Sequence, residues 1–281
     1  MSVFRSPATA KAIRGFTEAR YARSGFARRW IDTTFGPTHL FEVGDADAPP
    51  VVLLHGTGSN ALAWLGEIGP LAGDFRVIAP DLPGEPGLSA DRRLKLAAGE
   101  PQAWLVDLLD RLGLARAAFV GTSLGGWLAL GHATSAPRRV TALALLSSSG
   151  LAPARRSFLL KAIPLSFLGE AGLGRINRLV FRDAEIPEEV AEFARLTAQG
   201  FRPVIEPVPI YDDAALSRLA AVPVLMIAGG RDALLDSRAS ATRLARLLPA
   251  AEIDLRERAG HAILDAGPAL RAFLQRNAAR V

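Results

Sequence analysis

The residue types best suited to chemistry centre on Ser123, within the run Gly121-Thr122-Ser123-Leu124-Gly125. This G-x-S-x-G spacing directly follows an apolar segment at 117–120 and opens an apolar helical segment at 127–133. A serine on such a tight strand-to-helix turn projects its hydroxyl above the sheet. An ordinary glycine-rich turn is the alternative, but the strand before it and the helix after it favour a nucleophilic serine.

A serine hydroxyl is a poor nucleophile at neutral pH and needs a neighbouring base. The chain has four histidines, His39, His55, His132 and His261. His39 lies in a predicted strand where a structural or surface role is expected, and His132 lies about 13 Å from Ser123 along the helix axis. His261 follows the last predicted strand, in a loop that can reach over the sheet. We therefore predict that His261 is the general base.

The predicted base needs an acid that accepts its imidazole N–H and fixes its tautomer. Asp232 lies in the turn after the predicted strand at 222–228 and suits this role. Asp236 is the alternative, although its position just before the predicted helix at 237–248 indicates an N-cap. The segment after Ser147 offers no carboxylate. We therefore predict Asp232, which gives the chain order Ser, Asp, His.

Acyl transfer also requires N–H donors for the negative charge that develops on the carbonyl oxygen. The run His55-Gly56-Thr57-Gly58 ends a buried strand, and the backbone N–H of Thr57 is one predicted donor. The backbone N–H of Leu124, the residue after the serine, is the second. His55 is then expected to brace the loop and not to act as a second base. An ordinary connection between a strand and a helix is the alternative for this run.

These residues need a scaffold, and the rest of the sequence predicts an α/β fold. Short apolar runs alternate with amphipathic helical patterns, which indicates a mostly parallel central sheet flanked by helices on both faces. Predicted strands lie at 39–43, 51–55, 75–79, 117–121, 142–147, 222–228 and 251–255, and predicted helices at 101–112, 237–248 and 268–276. Between 151 and 216 no buried strand is evident, and helical patterns there predict an inserted cap over the mouth of the sheet.

Composition argues against several classes of function. The 281 residues include no cysteine and only four histidines, which argues against a zinc site, and the predicted reaction requires neither a metal nor a cofactor. The formal charge of +5 comes from arginines spread along the chain without a basic stripe, which argues against nucleic-acid binding. No apolar run could span a bilayer, and the N-terminus lacks the apolar core of a secretory signal. A cytoplasmic protein with an N-terminal surface helix is expected, a transit peptide being the alternative.

Together these motifs resemble the α/β-hydrolase superfamily, and within it carboxylesterase-like serine hydrolases with a helical cap. The resemblance runs from about His39 to the C-terminus. It rests on the H-G-x-G run at 55–58, the elbow at 121–125, the strand and acid at 222–232, and Gly260-His261. It implies an eight-stranded, mostly parallel sheet with the site at the C-terminal edge of the strands and a cap after the sixth strand. The implied domains are 1–150 (core, with an N-terminal extension), 151–216 (helical cap) and 217–281 (core).

Two segments depart from the family pattern. The usual D-x-x-G-x-G-x-S loop appears as Asp81-Leu82-Pro83-Gly84-Glu85-Pro86-Gly87-Leu88-Ser89, with one extra residue between the glycines, which bears on the shape of the pocket. Asp265 and Pro268 stand where the family usually has a glutamate and a proline after the histidine. Neither departure touches the predicted triad.

The predicted reaction is two-step acyl transfer on a small-molecule acyl substrate, with ester hydrolysis expected. The same triad also supports thioester, lactone or C–C hydrolysis, acyl transfer to another acceptor, or perhydrolysis. A ligand-binding protein without turnover is the alternative from a different class, since fold does not fix function. An apolar stripe in the cap suggests either an apolar acyl pocket or the core of the cap itself; its residues are Phe158, Leu159, Leu160, Ile163, Leu165, Phe167 and Leu168.

Overall fold

An eight-stranded sheet forms the centre of the chain. The structure is a computed structural model that describes residues 2–155, 157, 158, 160, 165, 169–182, 185–203 and 206–277. In space the strands follow the order β1-β2-β4-β3-β5-β6-β7-β8. Their bounds are β1 (Arg28–Thr33), β2 (Gly36–Val43), β3 (Pro50–Leu54), β4 (Arg76–Pro80), β5 (Ala117–Thr122), β6 (Val140–Leu146), β7 (Val224–Gly229) and β8 (Glu252–Arg256).

The sheet is parallel from β4 to β8, and β1 and β2 add antiparallel pairs at one edge. Nearly every residue of β3, β5 and β6 is buried, because helices cover both faces and leave no solvated side for polar residues. Since these strands run the same way, the loops that follow β3, β5, β7 and β8 all emerge at one edge. The predicted fold class is confirmed.

Helices pack on both faces of the sheet. Their bounds are α1 (Pro7–Ser24), α2 (Leu65–Ala72), α3 (Glu100–Arg111), α4 (Leu124–Ser135), α5 (Gly169–Phe181), α6 (Glu188–Gly200), α7 (Asp213–Ser217), α8 (Ser237–Leu247) and α9 (Gly267–Asn277). One apolar core lies under α3, α4 and α8, and the other lies under α1, α2 and α9. The predicted helices at 101–112, 237–248 and 268–276 agree with α3, α8 and α9 to within one residue at each end.

The sequence does not predict strand β1. Four of its six residues are polar, most are exposed, and only Thr33 among them is buried. Trp30, the large apolar residue of the strand, is 55% exposed. An edge strand with one hydrogen-bonded neighbour does not need the apolar run by which the central strands were recognised.

The N-terminal helix expected from the sequence is α1, and it joins two parts of the structure. Ser6 caps it, exchanging hydrogen bonds with Thr9. On one side Tyr21 is buried in the core under the sheet. On the other side α1 packs against α6, and a small apolar cluster of Val3, Phe4, Ile13 and Phe201 closes the contact. Two backbone hydrogen bonds of 2.8 Å join the two segments, one from Arg5 N–H to Gly200 O and one from Arg202 N–H to Val3 O.

Helices α5, α6 and α7 lie between β6 and β7, in the segment 151–216 that the sequence predicts as a cap, except that α7 ends one residue beyond it. In this segment Arg182 forms an isolated antiparallel bridge with Ala259, and Ala154 forms another with Leu235. Both partners belong to loops after β7 and β8, so the segment contacts the sheet edge where those strands end. Among the described helices, none has the length and apolar character needed to cross a bilayer.

Candidate functional site

Ser123 occupies a strained turn between β5 and α4. Its backbone has φ 51° and ψ −112°, a region that residues with a side chain rarely adopt. Its N–H donates to Leu146 O at the end of β6, and its own carbonyl accepts from Trp127 in the first turn of α4. The neighbouring strand and the helix therefore hold the serine in this conformation, as expected for a residue whose strain serves a function.

The two glycines of the motif are required by close packing. A Cβ on Gly121 would overlap the backbone of Gly125 and Gly126. A Cβ on Gly125 would overlap the carbonyl oxygens of Leu54 and His55, where β3 ends. The glycines thus let α4 start directly against the strand ends, which brings Ser123 next to the loop that follows β3.

Asp232 and His261 form a hydrogen-bonded pair at the same edge. His261 Nδ1 lies 2.8 Å from Asp232 Oδ2. The Asp232 side chain is fully buried, whereas 11% of the His261 side chain is exposed. Since an ionised carboxylate only accepts hydrogen bonds, Nδ1 carries a proton and the lone pair of a neutral ring lies on Nε2. This tautomer is the one that a general base acting on a serine needs.

The other carboxylate oxygen of Asp232 is held by the backbone. Oδ1 accepts the N–H groups of Leu234 at 2.7 Å and Leu235 at 3.0 Å. Burial acts to raise the pKa of Asp232, but the hydrogen bond and charge of His261 and these two amides hold it below its ordinary value. Asp232 is therefore ionised at neutral pH and fixed in orientation.

Asp236 has the structural role that its position predicts. It is the N-cap of α8, and its side chain accepts the N–H of Ala239 at 3.1 Å. It makes no hydrogen bond with His261 among the residues described. Of the two acids that the sequence offers, the structure brings Asp232 to the imidazole.

The backbone around His261 is held by the 151–216 segment. Val180 O, in the last turn of α5, accepts the N–H of His261 at 2.8 Å and that of Ala262 at 3.2 Å. No hydrogen bond joins the Ser123 hydroxyl to the His261 ring in the described part of the chain. Hydrogen bonds between nucleophile and base are often long before substrate binds and tighten in the reacting complex. The loops that carry the two residues follow β5 and β8, on either side of β6 and β7.

The two predicted oxyanion donors, the backbone N–H groups of Leu124 and Thr57, have no hydrogen-bond partner among the described residues. Leu124 is the first residue of α4, so its N–H has no partner within the helix and lies at the positive end of the helix dipole. Thr57 is exposed in the loop after β3, and its N–H donates to no other described residue. Because Gly125 packs on the end of β3, the two segments that carry these amides are in contact.

His55 braces the loop of Thr57, as its position predicts. The ring is fully buried, with Nδ1 2.9 Å from Gly56 O, and Nε2 accepts the N–H of Leu82 at 2.9 Å. It thus joins the loop after β3 to the loop after β4. Burial lowers the pKa of His55, which keeps the ring neutral and able to make both contacts.

A second set of hydrogen bonds converges on Asp81, the residue after β4. Its buried carboxylate accepts from the Tyr21 hydroxyl at 2.5 Å and from the N–H groups of Ala61 and Leu88, both at 2.9 Å. His39 Nδ1 lies 3.2 Å away, so His39 has a structural role. Asp81 therefore connects α1, β2 and the loops after β3 and β4 through hydrogen bonds near the candidate site.

His132 lies away from these groups. It is buried on α4 with its ring packed 5.0 Å from that of Phe119. Burial, assisted by the charge of Arg139, lowers the pKa of His132 to about 4. The described residues contain no group of three or more metal-ligating side chains.

The sequence did not single out Glu85 as a site residue. The residue is 6% exposed, and its carboxyl group accepts the N–H of Gly58, the neighbour of Thr57, at 2.6 Å. Glu85 also lines a cavity shared with Leu124. The available signal was the lengthened loop after Asp81, which places a carboxylate among glycines and prolines.

The apolar stripe expected to line an acyl pocket is described only in part. Leu160 is 76% exposed, so it does not face a pocket. Phe158 lines a cavity of about 190 Å³ beside Asp232. Leu165 is half-buried, and residues 159, 163, 167 and 168 lie outside the described residues. The cavity next to Leu124 has an apolar lining from the core instead, with Leu82, Leu94, Leu96, Trp104, Trp127 and Leu128 among its walls.

Comparison with known proteins places the chain among relatives of this architecture. The sequence profile of the alpha/beta hydrolase family matches residues 51–272. A Bacillus subtilis (strain 168) protein named uncharacterized carboxylesterase nap is 28% identical over 243 residues, which cover 83% of this chain and 80% of that protein. The dihydrolipoyllysine-residue acetyltransferase component of the acetoin cleaving system of Pseudomonas putida is 32% identical over 79% of this chain. That match covers 61% of the relative, so the chain spans less than two thirds of its length.

Among solved structures, the naproxen esterase (carboxylesterase NP) of Bacillus subtilis superimposes with a TM-score of 0.79. The two sequences are 24% identical, and the superposition covers 92% of this chain and 96% of the esterase. The fold is thus shared along nearly the whole length of both chains.

Proposed function

Since this chain belongs to the alpha/beta hydrolase family, we propose that it is a serine hydrolase that cleaves carboxylic esters through an acyl-enzyme. The observation that carries the proposal is the 2.8 Å hydrogen bond between His261 and the buried carboxylate of Asp232, at the sheet edge where Ser123 opens α4. The similarity to a carboxylesterase of Bacillus subtilis supports the ester as the bond that is cleaved.

In the first half of the proposed reaction, His261 Nε2 takes the proton of the Ser123 hydroxyl while the serine oxygen attacks the ester carbonyl. The carbonyl oxygen becomes negatively charged, and the N–H groups of Thr57 and Leu124 stabilise it. Asp232 stabilises the imidazolium that forms. His261 then gives its proton to the alkoxide leaving group, the bond from carbonyl carbon to alkoxy oxygen breaks, and the acyl group stays on Ser123.

In the second half, water takes the place of the alcohol. His261 accepts a proton from the water molecule, which attacks the acyl-enzyme carbonyl, and the same two N–H groups stabilise the second oxyanion. The bond to Ser123 breaks, the serine oxygen recovers its proton from His261, and a carboxylic acid leaves. The reaction therefore needs one water molecule and returns the enzyme to its starting state.

We further propose that the 151–216 segment is a cap and that the substrate carries an apolar acyl part. Support for the cap comes from helix α5, whose Val180 O accepts the N–H of His261, so that the segment contacts the loop that carries the proposed base. The cavity next to Leu124 has only about 20 Å³, room for about one water molecule, so it does not hold an acyl chain; its leucine and tryptophan walls supply an apolar surface beside that residue.

Covalent labelling by a fluorophosphonate, followed by turnover of p-nitrophenyl esters of increasing acyl length, tests this function. We expect labelling and turnover in the wild type and the loss of both in Ser123→Ala. Ser135→Ala, an exposed serine at the other end of α4, is the matched control and should keep both.

The outcomes separate the competing functions. A folded wild type that neither reacts with the label nor turns over any ester would favour a ligand-binding protein. Labelling without ester hydrolysis, together with transfer of the acyl group to an added alcohol or thiol, would favour acyl transfer. Persistence of the label in Ser123→Ala would assign the nucleophile elsewhere.

A further inference from the structure

Glu85 is a buried carboxyl group that the proposed reaction does not use. It lies in the loop after β4, between Gly84 and Pro86, and is 6% exposed. One carboxyl oxygen accepts the N–H of Gly58 at 2.6 Å. Burial raises the pKa of Glu85 to about 8, although the Gly58 amide and the charge of Arg93 act in the opposite direction. At neutral pH the group is therefore mostly an uncharged carboxylic acid.

The hydrogen bond to Gly58 lies at a sensitive point of the loop after β3. The turn of this loop consists of Gly56, Thr57 and Gly58, and Gly58 has a φ of 70°. His55 holds the near end of the turn through Gly56 O, and Glu85 holds the far end through the N–H of Gly58. The N–H of Thr57 shares a peptide plane with Gly56 O, which His55 holds, and the next peptide plane carries the N–H that Glu85 holds, so both contacts limit the direction of the Thr57 amide.

Glu85 also lies close to the second proposed oxyanion donor. It lines the same cavity as Leu124, whose other walls are apolar except for Arg93. The bases of the two loops carry two further titratable groups, His55 and Asp81, and both make hydrogen bonds of their own. Apart from Arg93, the cavity walls therefore offer little to screen a charge that appears on Glu85.

We propose that Glu85 is a positioning residue for the proposed ester hydrolysis, holding the amide of Thr57 toward the oxyanion through the N–H of Gly58. The inference rests on the proposed function. An uncharged carboxyl group can hold the loop without placing a negative charge beside the oxyanion. Ionisation of Glu85 keeps the hydrogen bond but adds that charge, which disfavours the transition state.

The test compares two replacements of Glu85. Glu85→Gln keeps a carbonyl oxygen that can accept the Gly58 N–H but cannot ionise. Glu85→Leu has a similar size and cannot accept. Removal of a whole oxyanion donor costs about 100- to 1000-fold in kcat, so a misdirected donor should cost about 10- to 100-fold. Glu67→Gln, a partly buried glutamate on α2, is the matched control.

We expect Glu85→Gln to keep kcat within about threefold at pH 7, and Glu85→Leu to lose about 10- to 100-fold in kcat with little change in KM. In the wild type and in Glu67→Gln, kcat should fall as pH rises past about 8, following the ionisation of Glu85. In Glu85→Gln this fall should be absent. Fluorophosphonate titration gives the fraction of active protein for each variant, so that losses by misfolding are removed from kcat.

Two results would overturn the inference. One is a folded Glu85→Leu with kcat within threefold of wild type. The other is an alkaline fall in Glu85→Gln equal to that of the wild type, which decides the matter even if Glu85→Leu does not fold. Either result, with wild-type turnover intact, removes the role of Glu85 and leaves the proposed function standing. A wild type without turnover or labelling removes both.

Discussion

Replacement of Asp232 by asparagine tests the pairing of acid and base most directly. Asp232 Oδ1 accepts two backbone N–H groups, from Leu234 and Leu235, at 2.7 and 3.0 Å. An asparagine carbonyl can satisfy the same two donors, so its NH₂ group must turn toward His261 Nδ1. The ring then accepts at Nδ1 and carries its proton on Nε2, where it cannot take a proton from Ser123.

The expected loss follows from this change of tautomer. An enzyme of the same catalytic type loses about 10⁴-fold in kcat when its acid becomes an asparagine. At about 1.4 kcal/mol for each factor of ten, the loss corresponds to about 5 kcal/mol of transition-state stabilisation. We expect a loss of this order in kcat for Asp232→Asn, with KM nearly unchanged, because substrate binding does not depend on the tautomer.

The assay is steady-state hydrolysis of a p-nitrophenyl ester, with circular dichroism to verify folding. Asp236→Asn is the matched control, since asparagine is as good an N-cap as aspartate and α8 should be preserved. The control should keep kcat within threefold. The reasoning is refuted if Asp232→Asn retains more than a tenth of the wild-type kcat, or if both variants lose activity to the same extent.

Three further predictions concern stability. Tyr21→Phe removes a buried hydrogen bond to Asp81 and should lower the free energy of unfolding in urea by about 2 kcal/mol; no change would show that the other donors to Asp81 suffice. Gly125→Ala should prevent folding, because the added Cβ overlaps backbone carbonyls at the end of β3. Gly66→Ala, where the added Cβ meets open space, is the control and should fold normally. Equal thermal stability of the two variants would contradict the close packing of Gly125 against β3. Glu85 releases its proton near pH 4.5 in the unfolded chain and near pH 8 in the folded protein. The free energy of unfolding should therefore fall by about 1.4 kcal/mol per pH unit between these two values. Urea unfolding of Glu85→Gln at several pH values should not show this fall.

The sequence predicts the central part of the fold well, for a physical reason. Strands β3, β5 and β6 are buried on both faces, so their residues must be apolar at successive positions, and this pattern is visible in the chain. The Asp236 N-cap is equally local, since it depends on a residue and the helix that follows. Strand β1 is not predicted, because an exposed edge strand does not need apolar residues at successive positions.

The contacts that escape prediction join residues far apart in the chain. Nothing near Tyr21 in the sequence indicates that its hydroxyl meets Asp81, since that contact depends on how α1 crosses the sheet. The hydrogen bond from Gly58 to Glu85 joins two loops in the same way. The sequence predicts the residue types at the candidate site and the strands that carry them. It does not predict how the loops hold one another.

The contact between Val180 and His261 bears on how substrate range could change in this protein. Under the proposal that the segment between β6 and β7 is a cap, exchange of that segment by recombination would alter what reaches the serine. The exchange would also replace Val180 O, the carbonyl that holds the backbone of the histidine loop, and so would change the orientation of the imidazole as well. An exchanged segment that preserves activity therefore has to keep the last turn of α5 from this chain and to differ only in residues that precede that turn.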